Sequence, residues 1–238
     1  MKEQSKRLRI RIAIVVIFSI AMAWVESSTV VYLRTLVNRV EPYQRTPLPI
    51  IDSFGVTEIV REAATLIMLV TVGWLAGTSW KSRLGFFMAA FGIWDIFYYL
   101  FLKIIVGWPH SLFDWDVLFL IPLPWWGPVL SPILISVVLI ILGSLLAQNE
   151  ISDAAFQLGK LSWSFYLCGI SVALYVFMAH SIEVMGKGNS GVVDLPAQFN
   201  WPFFMLALFF MLMPVFEAGI RLVKKNDRRL VKNRSKRN

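Results

Sequence analysis

Residues 94–132 read WDIFYYLFLKIIVGWPHSLFDWDVLFLIPLPWWGPVLSP, and this stretch decides the fold. Its first part continues an apolar run, although it contains Asp95, Tyr98, Tyr99 and Lys103. Its second part is rich in Trp and Pro, and a proline interrupts a helix interior. We therefore expect a membrane helix that carries polar groups, followed by a short interfacial or re-entrant segment at 107–126.

The rest of the chain is apolar enough for a membrane protein. Hydrophobic residues make up 57% of the 238 residues, whereas soluble domains contain about 45–50%. Separated apolar runs have the length that crosses a bilayer as helix, and lipid requires backbone groups to bond within the segment. The sequence predicts an all-α polytopic bundle of about six transmembrane helices. These spans lie at about 10–33, 55–77, 84–106, 127–147, 158–180 and 201–223.

Basic residues are distributed unequally between the two sides of this bundle. With the N-terminus inside, inner segments hold 17 of the 23 Lys and Arg residues, five of them before residue 12 and nine from Arg221 onward. This asymmetry predicts that both termini are cytoplasmic. We expect a single transmembrane domain at 1–223, followed by a basic cytoplasmic tail at 224–238.

The N-terminal segment allows a second interpretation. A basic start, a short apolar core and the small-residue pattern Ala21-Met22-Ala23 are also typical of a signal peptide. Apolar character resumes at Val30 and Val31, so a complete span is available without cleavage. Cleavage would leave five spans and the same inner C-terminus.

Charged and phenolic residues converge at one depth of the predicted bundle. At a rise of about 1.5 Å per residue, the outer halves of the first three spans contain most of them. Spacings of three and four residues place the members of each helix on one face. The predicted ligand-binding site consists of Glu26, Arg34, Glu58, Arg61, Glu62, Asp95, Tyr98 and Tyr99.

This cluster has two interpretations. Ionisable groups cost about 2.5–3.5 kcal/mol each at the centre of a span, so they are functional candidates by default. Alternatively, Arg61 bridges Glu58 and Asp95 and only holds the second and third helices together. The acids outnumber the bases, so one acid is unpaired, protonated or matched by a cationic ligand.

Other chemistry is poorly supported by the sequence. His110, Asp114 and Asp116 lie on a Pro-broken segment without a recognised metal-ligand spacing, so we expect no metal and no cofactor. The single cysteine, Cys168, excludes an intrachain disulfide. The basic residues flank membrane spans and form no basic face of a soluble domain, which argues against nucleic-acid binding.

Part of the chain resembles a known group of proteins. The runs WDIFYYLFLKIIVGWP and WDVLFLIPLPWWGPVLSP, together with EIVREAATL at 58–66, resemble small bacterial inner-membrane proteins with which we associate no activity. The resemblance covers roughly residues 55–135. It implies a bacterial cytoplasmic-membrane protein and no particular reaction.

Three functions remain open from the sequence. The first is binding or passage of a small polar or cationic species, with Glu62 and Asp95 as the titrating groups. The second is a metal-independent membrane enzyme acting on a lipid or isoprenoid, with a carboxylate as general acid or base and Arg61 holding an anionic group. The third is a non-catalytic subunit whose charges bind another membrane protein.

Overall fold

The computed structural model describes residues 2–36, 52–148, 158–186, 196 and 198–235. Six helices in this part of the chain are long and apolar enough to cross a membrane. The predicted all-α bundle is therefore confirmed. The helices are α1 (Lys2–Leu36), α2 (Asp52–Ala76), α3 (Trp80–Val106), α4 (Leu130–Ala147), α5 (Lys160–Gly186) and α6 (Trp201–Ser235).

Between α3 and α4 the chain forms a β-hairpin that the sequence analysis did not predict. Strands β1 (Trp115–Phe119) and β2 (Trp125–Pro128) pair antiparallel, and the register shifts between Val117 and Phe119. The fourth helix begins at Leu130, slightly after the predicted start at about 127, because Gly127 and Pro128 belong to β2. The end of the bundle that carries this hairpin is called the hairpin side, and the opposite end, where α1 begins, is called the terminal side.

Helix α3 is the central element of the bundle because α1, α2 and α4 all pack against it. Its first turn has a capping box formed by Ser79 and Ser82, and its end is capped by Gly107 in the left-handed conformation, with φ of 74°. Only a residue without a side chain adopts this conformation readily. The chain can therefore leave α3 sharply and enter the hairpin.

Glycines allow α3 and α4 to approach closely. A Cβ atom on Gly92 would lie 2.5 Å from the Ser136 carbonyl oxygen, and one on Gly85 would lie 2.6 Å from the Gly143 carbonyl oxygen. Small residues at helix contacts maximise packing in membranes, where water does not drive the helices together. The backbones of α3 and α4 therefore lie close together at these glycines.

Helices α5 and α6 pack mainly against each other. They join the remaining bundle where α6 contacts α4 and where α5 contacts β2. The predicted spans locate all six helices, although α1 and α6 extend beyond them. In particular, α6 remains helical to Ser235, well past the predicted end of its span at 223.

Candidate functional site

Arg61 is the centre of an ion network between α1 and α2. Its guanidinium forms an ion pair with Glu26 of α1, and its Nη2 lies 2.8 Å from Glu58 Oε2. Thr65 donates a hydrogen bond of 3.2 Å to the same Glu26. The bridge from Arg61 to Asp95 was a wrong expectation, because the second carboxylate on Arg61 comes from α1 and not from α3.

Glu62 connects α2 to the tip of the hairpin. Its Oε2 accepts a hydrogen bond of 2.9 Å from the backbone N–H of Leu120, and its carboxylate also interacts with the N–H of Ile121. Glu62 is buried, although Arg61 on the same helix is close enough to interact with it electrostatically. Two backbone donors of the hairpin thus depend on one carboxylate of α2.

Asp116 connects β1 to α1 through Arg34. The Asp116 side chain is fully buried, and its Oδ1 accepts from Arg34 Nη2 and from the Val117 N–H, both at 2.9 Å. Arg34 also stacks on Trp108, with its Cζ atom 4.6 Å from the ring centroid. Burial raises the pKa of Asp116 above its usual range, although Arg34 and the Tyr99 hydroxyl oppose this rise.

Asp95 lies deeper, between α3 and α4. It is buried, and its Oδ2 accepts a hydrogen bond of 2.8 Å from the Ser136 hydroxyl of α4. Tyr98, one turn further along α3, interacts electrostatically with Arg34, Arg61, Asp95 and Asp116. The Tyr98 side chain therefore lies between the group around Arg61 and the group around Arg34.

The structure brings all eight residues of the predicted site to the hairpin side. Together with Asp116 they are called the polar cluster, and they come from α1, α2, α3 and β1. Asp116 was not predicted as a member, because its position beside His110 and Asp114 in the sequence indicated only a candidate metal ligand in a loop. Thr65 and Ser136 donate hydrogen bonds to Glu26 and Asp95. The one sequence signal that could have indicated them is a hydroxyl group within an apolar span.

The segment that contains His110 has a structural explanation. Asp114 Oδ2 accepts from the backbone N–H groups of His110 and Ser111, at 2.7 and 3.2 Å. Asp116 points away from this turn toward Arg34. Among the described residues, no group of three or more His, Cys, Asp or Glu side chains is arranged to hold a metal ion.

The charges of the polar cluster do not balance. It contains five carboxylates and two guanidiniums. Arg61 is shared by Glu26 and Glu58, and Arg34 is paired with Asp116. Within the part of the chain that the structure describes, Glu62 and Asp95 accept hydrogen bonds only from neutral donors and form no ion pair, although Arg61 interacts with Glu62 at longer range. A buried carboxylate without a cationic partner is stable only if it is protonated or if a cation approaches it.

These features define a multi-pass membrane protein whose described part has six helices of membrane-spanning length, with a hairpin that covers a polar cluster at one end of the bundle. Comparison of the chain with protein-family models, with curated protein sequences and with solved structures gave no match. The residues of the chain itself therefore carry the functional argument.

Proposed function

We propose that the polar cluster binds, or passes, a small polar or cationic species, and that Glu62 and Asp95 take up or release protons as it does so. The observation that carries this proposal is the pairing of five carboxylates with two guanidiniums. A cation near Glu62 and Asp95 would supply part of the missing positive charge. Protonation of either residue would supply it when the cation leaves.

The location of the two carboxylates supports an exchange of this kind. Asp95 lies between α3 and α4, where the neutral Ser136 hydroxyl donates one hydrogen bond to it. Glu62 faces the hairpin tip through the Leu120 N–H. A ligand that competes for either carboxylate therefore displaces an N–H or hydroxyl donor and does not have to displace a cation that is paired with it.

We further infer that the protein lies in a bacterial cytoplasmic membrane with both termini in the cytoplasm, so that the hairpin side faces the periplasm. The unequal distribution of Lys and Arg and the resemblance to small bacterial inner-membrane proteins support this orientation. The ligand would then reach the polar cluster from outside the cell.

A second candidate is a membrane enzyme that acts on a lipid. Arg61 and Glu58 lie between α1 and α2, which pack mainly against α3 and only lightly against each other. Their side chains keep exposed fractions of 21% and 15%. A lipid phosphate could approach Arg61 there, with Glu58 as general acid or base. A role as a non-catalytic subunit would instead require a partner helix that binds between α1 and α2.

Native mass spectrometry of the protein released in mild detergent tests the main proposal. Wild type is compared with the Asp95→Asn/Glu62→Gln double variant, and Asp114→Asn serves as a control because Asp114 only caps a turn on the same side. We expect a bound small molecule in wild type and in the control that is lost in the double variant.

Each other outcome has a definite meaning. A bound lipid that persists in the double variant, which leaves Arg61 and Glu58 unchanged, would favour the enzyme. A protein partner lost in the double variant would favour the subunit. If the two samples carry no lipid or partner and do not differ in any bound small molecule, the polar cluster only holds the helices together and the proposal is wrong.

A further inference from the structure

The turn between α2 and α3 presents positive charge on the terminal side. The basic turn is defined as residues 77–83, GTSWKSR. Lys81 is exposed and forms no ion pair or hydrogen bond with a described residue, and Arg83 likewise has no acidic partner among them. At this end of the described chain, the acids Glu3 and Glu217 are already paired with Arg7 and Arg221. The charge of the basic turn is therefore not neutralised by these acids.

Two arginines are fixed at the end of α2. Arg83 Nε donates to the Gly77 carbonyl oxygen at 3.3 Å, and its Cζ atom lies 3.9 Å from the centroid of the Trp74 ring. Arg11 of α1 donates to the Ala76 carbonyl oxygen at 2.7 Å. Cations are favourable at a helix C-terminus, where carbonyl groups lack intrahelical partners. These contacts hold the arginines in place before any ligand arrives.

Exposed indoles and aliphatic groups lie beside these charges. The exposed fraction of Trp80 is 69%, that of Trp74 is 48%, and their rings form a T-shaped contact with centroids 6.0 Å apart. Leu75, in the last turn of α2, is 78% exposed. Tryptophan favours the boundary between headgroups and acyl chains, where its ring is in apolar surroundings and its N–H is wet. The basic turn therefore combines cationic, interfacial and apolar surfaces at the end of a membrane-spanning helix.

We propose that the basic turn binds an anionic phospholipid. The lipid phosphate contacts Lys81 and Arg83, the indoles of Trp74 and Trp80 flank the headgroup, and an acyl chain lies along Leu75. Charge complementarity favours an anionic over a zwitterionic headgroup, because a headgroup with its own ammonium would be repelled by Lys81. The proposal concerns the terminal side, so it is independent of the ligand proposed for the polar cluster.

Lipid adducts of the full-length protein test this proposal. The protein is incubated in mild detergent with equimolar phosphatidylglycerol and phosphatidylcholine of identical acyl chains, and retained lipid is measured by native mass spectrometry. We expect wild type to retain phosphatidylglycerol at least fivefold over phosphatidylcholine. The preference should weaken as the ionic strength rises, since exposed charges are screened by salt.

Matched variants locate the lipid. Trp80→Ala/Lys81→Gln should reduce the preference to within twofold. Lys160→Gln/Leu161→Ala removes an exposed Lys and its exposed apolar neighbour at the start of α5, and it should leave the preference for phosphatidylglycerol unchanged. Lys81→Glu alone, at an exposed position, should also lower the preference for phosphatidylglycerol. Equal retention of both lipids by wild type, or an unchanged preference in Lys81→Glu, would overturn the proposal.

Discussion

Replacing Glu62 by Ala should release the tip of the hairpin from α2. The Leu120 N–H donates to Glu62 Oε2 at 2.9 Å, and the Ile121 N–H interacts with the same carboxylate. A hydrogen bond to a charged group contributes about 1.5–3 kcal/mol. Since about 1.36 kcal/mol corresponds to a tenfold change, the local opening equilibrium should rise about 10- to 150-fold.

Hydrogen–deuterium exchange measured by mass spectrometry can follow this opening. Peptides that cover residues 115–125 should exchange faster by that factor in Glu62→Ala, whereas peptides from α4 should not change. Glu58→Ala is the matched control, because Glu58 lies on the same helix and contacts Arg61 instead of the hairpin. Unchanged exchange at the tip, or an equal acceleration throughout the protein, would refute the reasoning.

Three further predictions concern stability, measured as the free energy of unfolding in detergent. Arg34→Met leaves the Asp116 carboxylate buried without its cation and should cost about 3–5 kcal/mol, most of which Arg34→Met/Asp116→Leu should recover. Burial raises the pKa of Asp116, so the folded protein holds the carboxyl proton of Asp116 more tightly than the unfolded chain does. The stabilisation that this proton provides should therefore fall as the pH rises from about 4 through the raised pKa, and Asp116→Asn should remove this slope. Gly92→Val should separate α3 from α4 and cost about 1–3 kcal/mol, because a Cβ there meets the Ser136 carbonyl, whereas Gly219→Ala, with open space around it, should stabilise α6 by about 0.5–1 kcal/mol.

Sequence reasoning located the helices well because lipid imposes strict rules on them. Apolar runs of sufficient length must be helical in a bilayer, so the positions of α1 to α6 followed from composition and length. The hairpin was missed because these rules for helices do not describe a pair of strands. Its residues are apolar and aromatic, and their strand pairing depends on contacts between segments that periodicity within one short run does not reveal.

The site was partly predictable. Depth along each helix brought Glu26, Arg61 and Asp95 to one side of the bundle, and three- or four-residue spacing correctly paired Arg61 with Glu58. Spacing does not define how neighbouring helices rotate, so the second partner of Arg61 was assigned to α3 instead of α1. The contribution of Asp116 to the site was underestimated because it depends on strand β1, which places the Asp116 side chain beside Arg34.

The contact between β2 and α5 has a consequence for biosynthesis. Trp125 of β2 stacks on Phe177 of α5 with ring centroids 6.1 Å apart, and Ser181 of α5 donates to the Pro124 carbonyl at 2.6 Å. The ribosome finishes the hairpin long before it finishes α5. During that interval one face of the hairpin lacks its aromatic neighbour and one of its carbonyls lacks its donor, so the hairpin reaches its final packing only after the fifth helix enters the membrane.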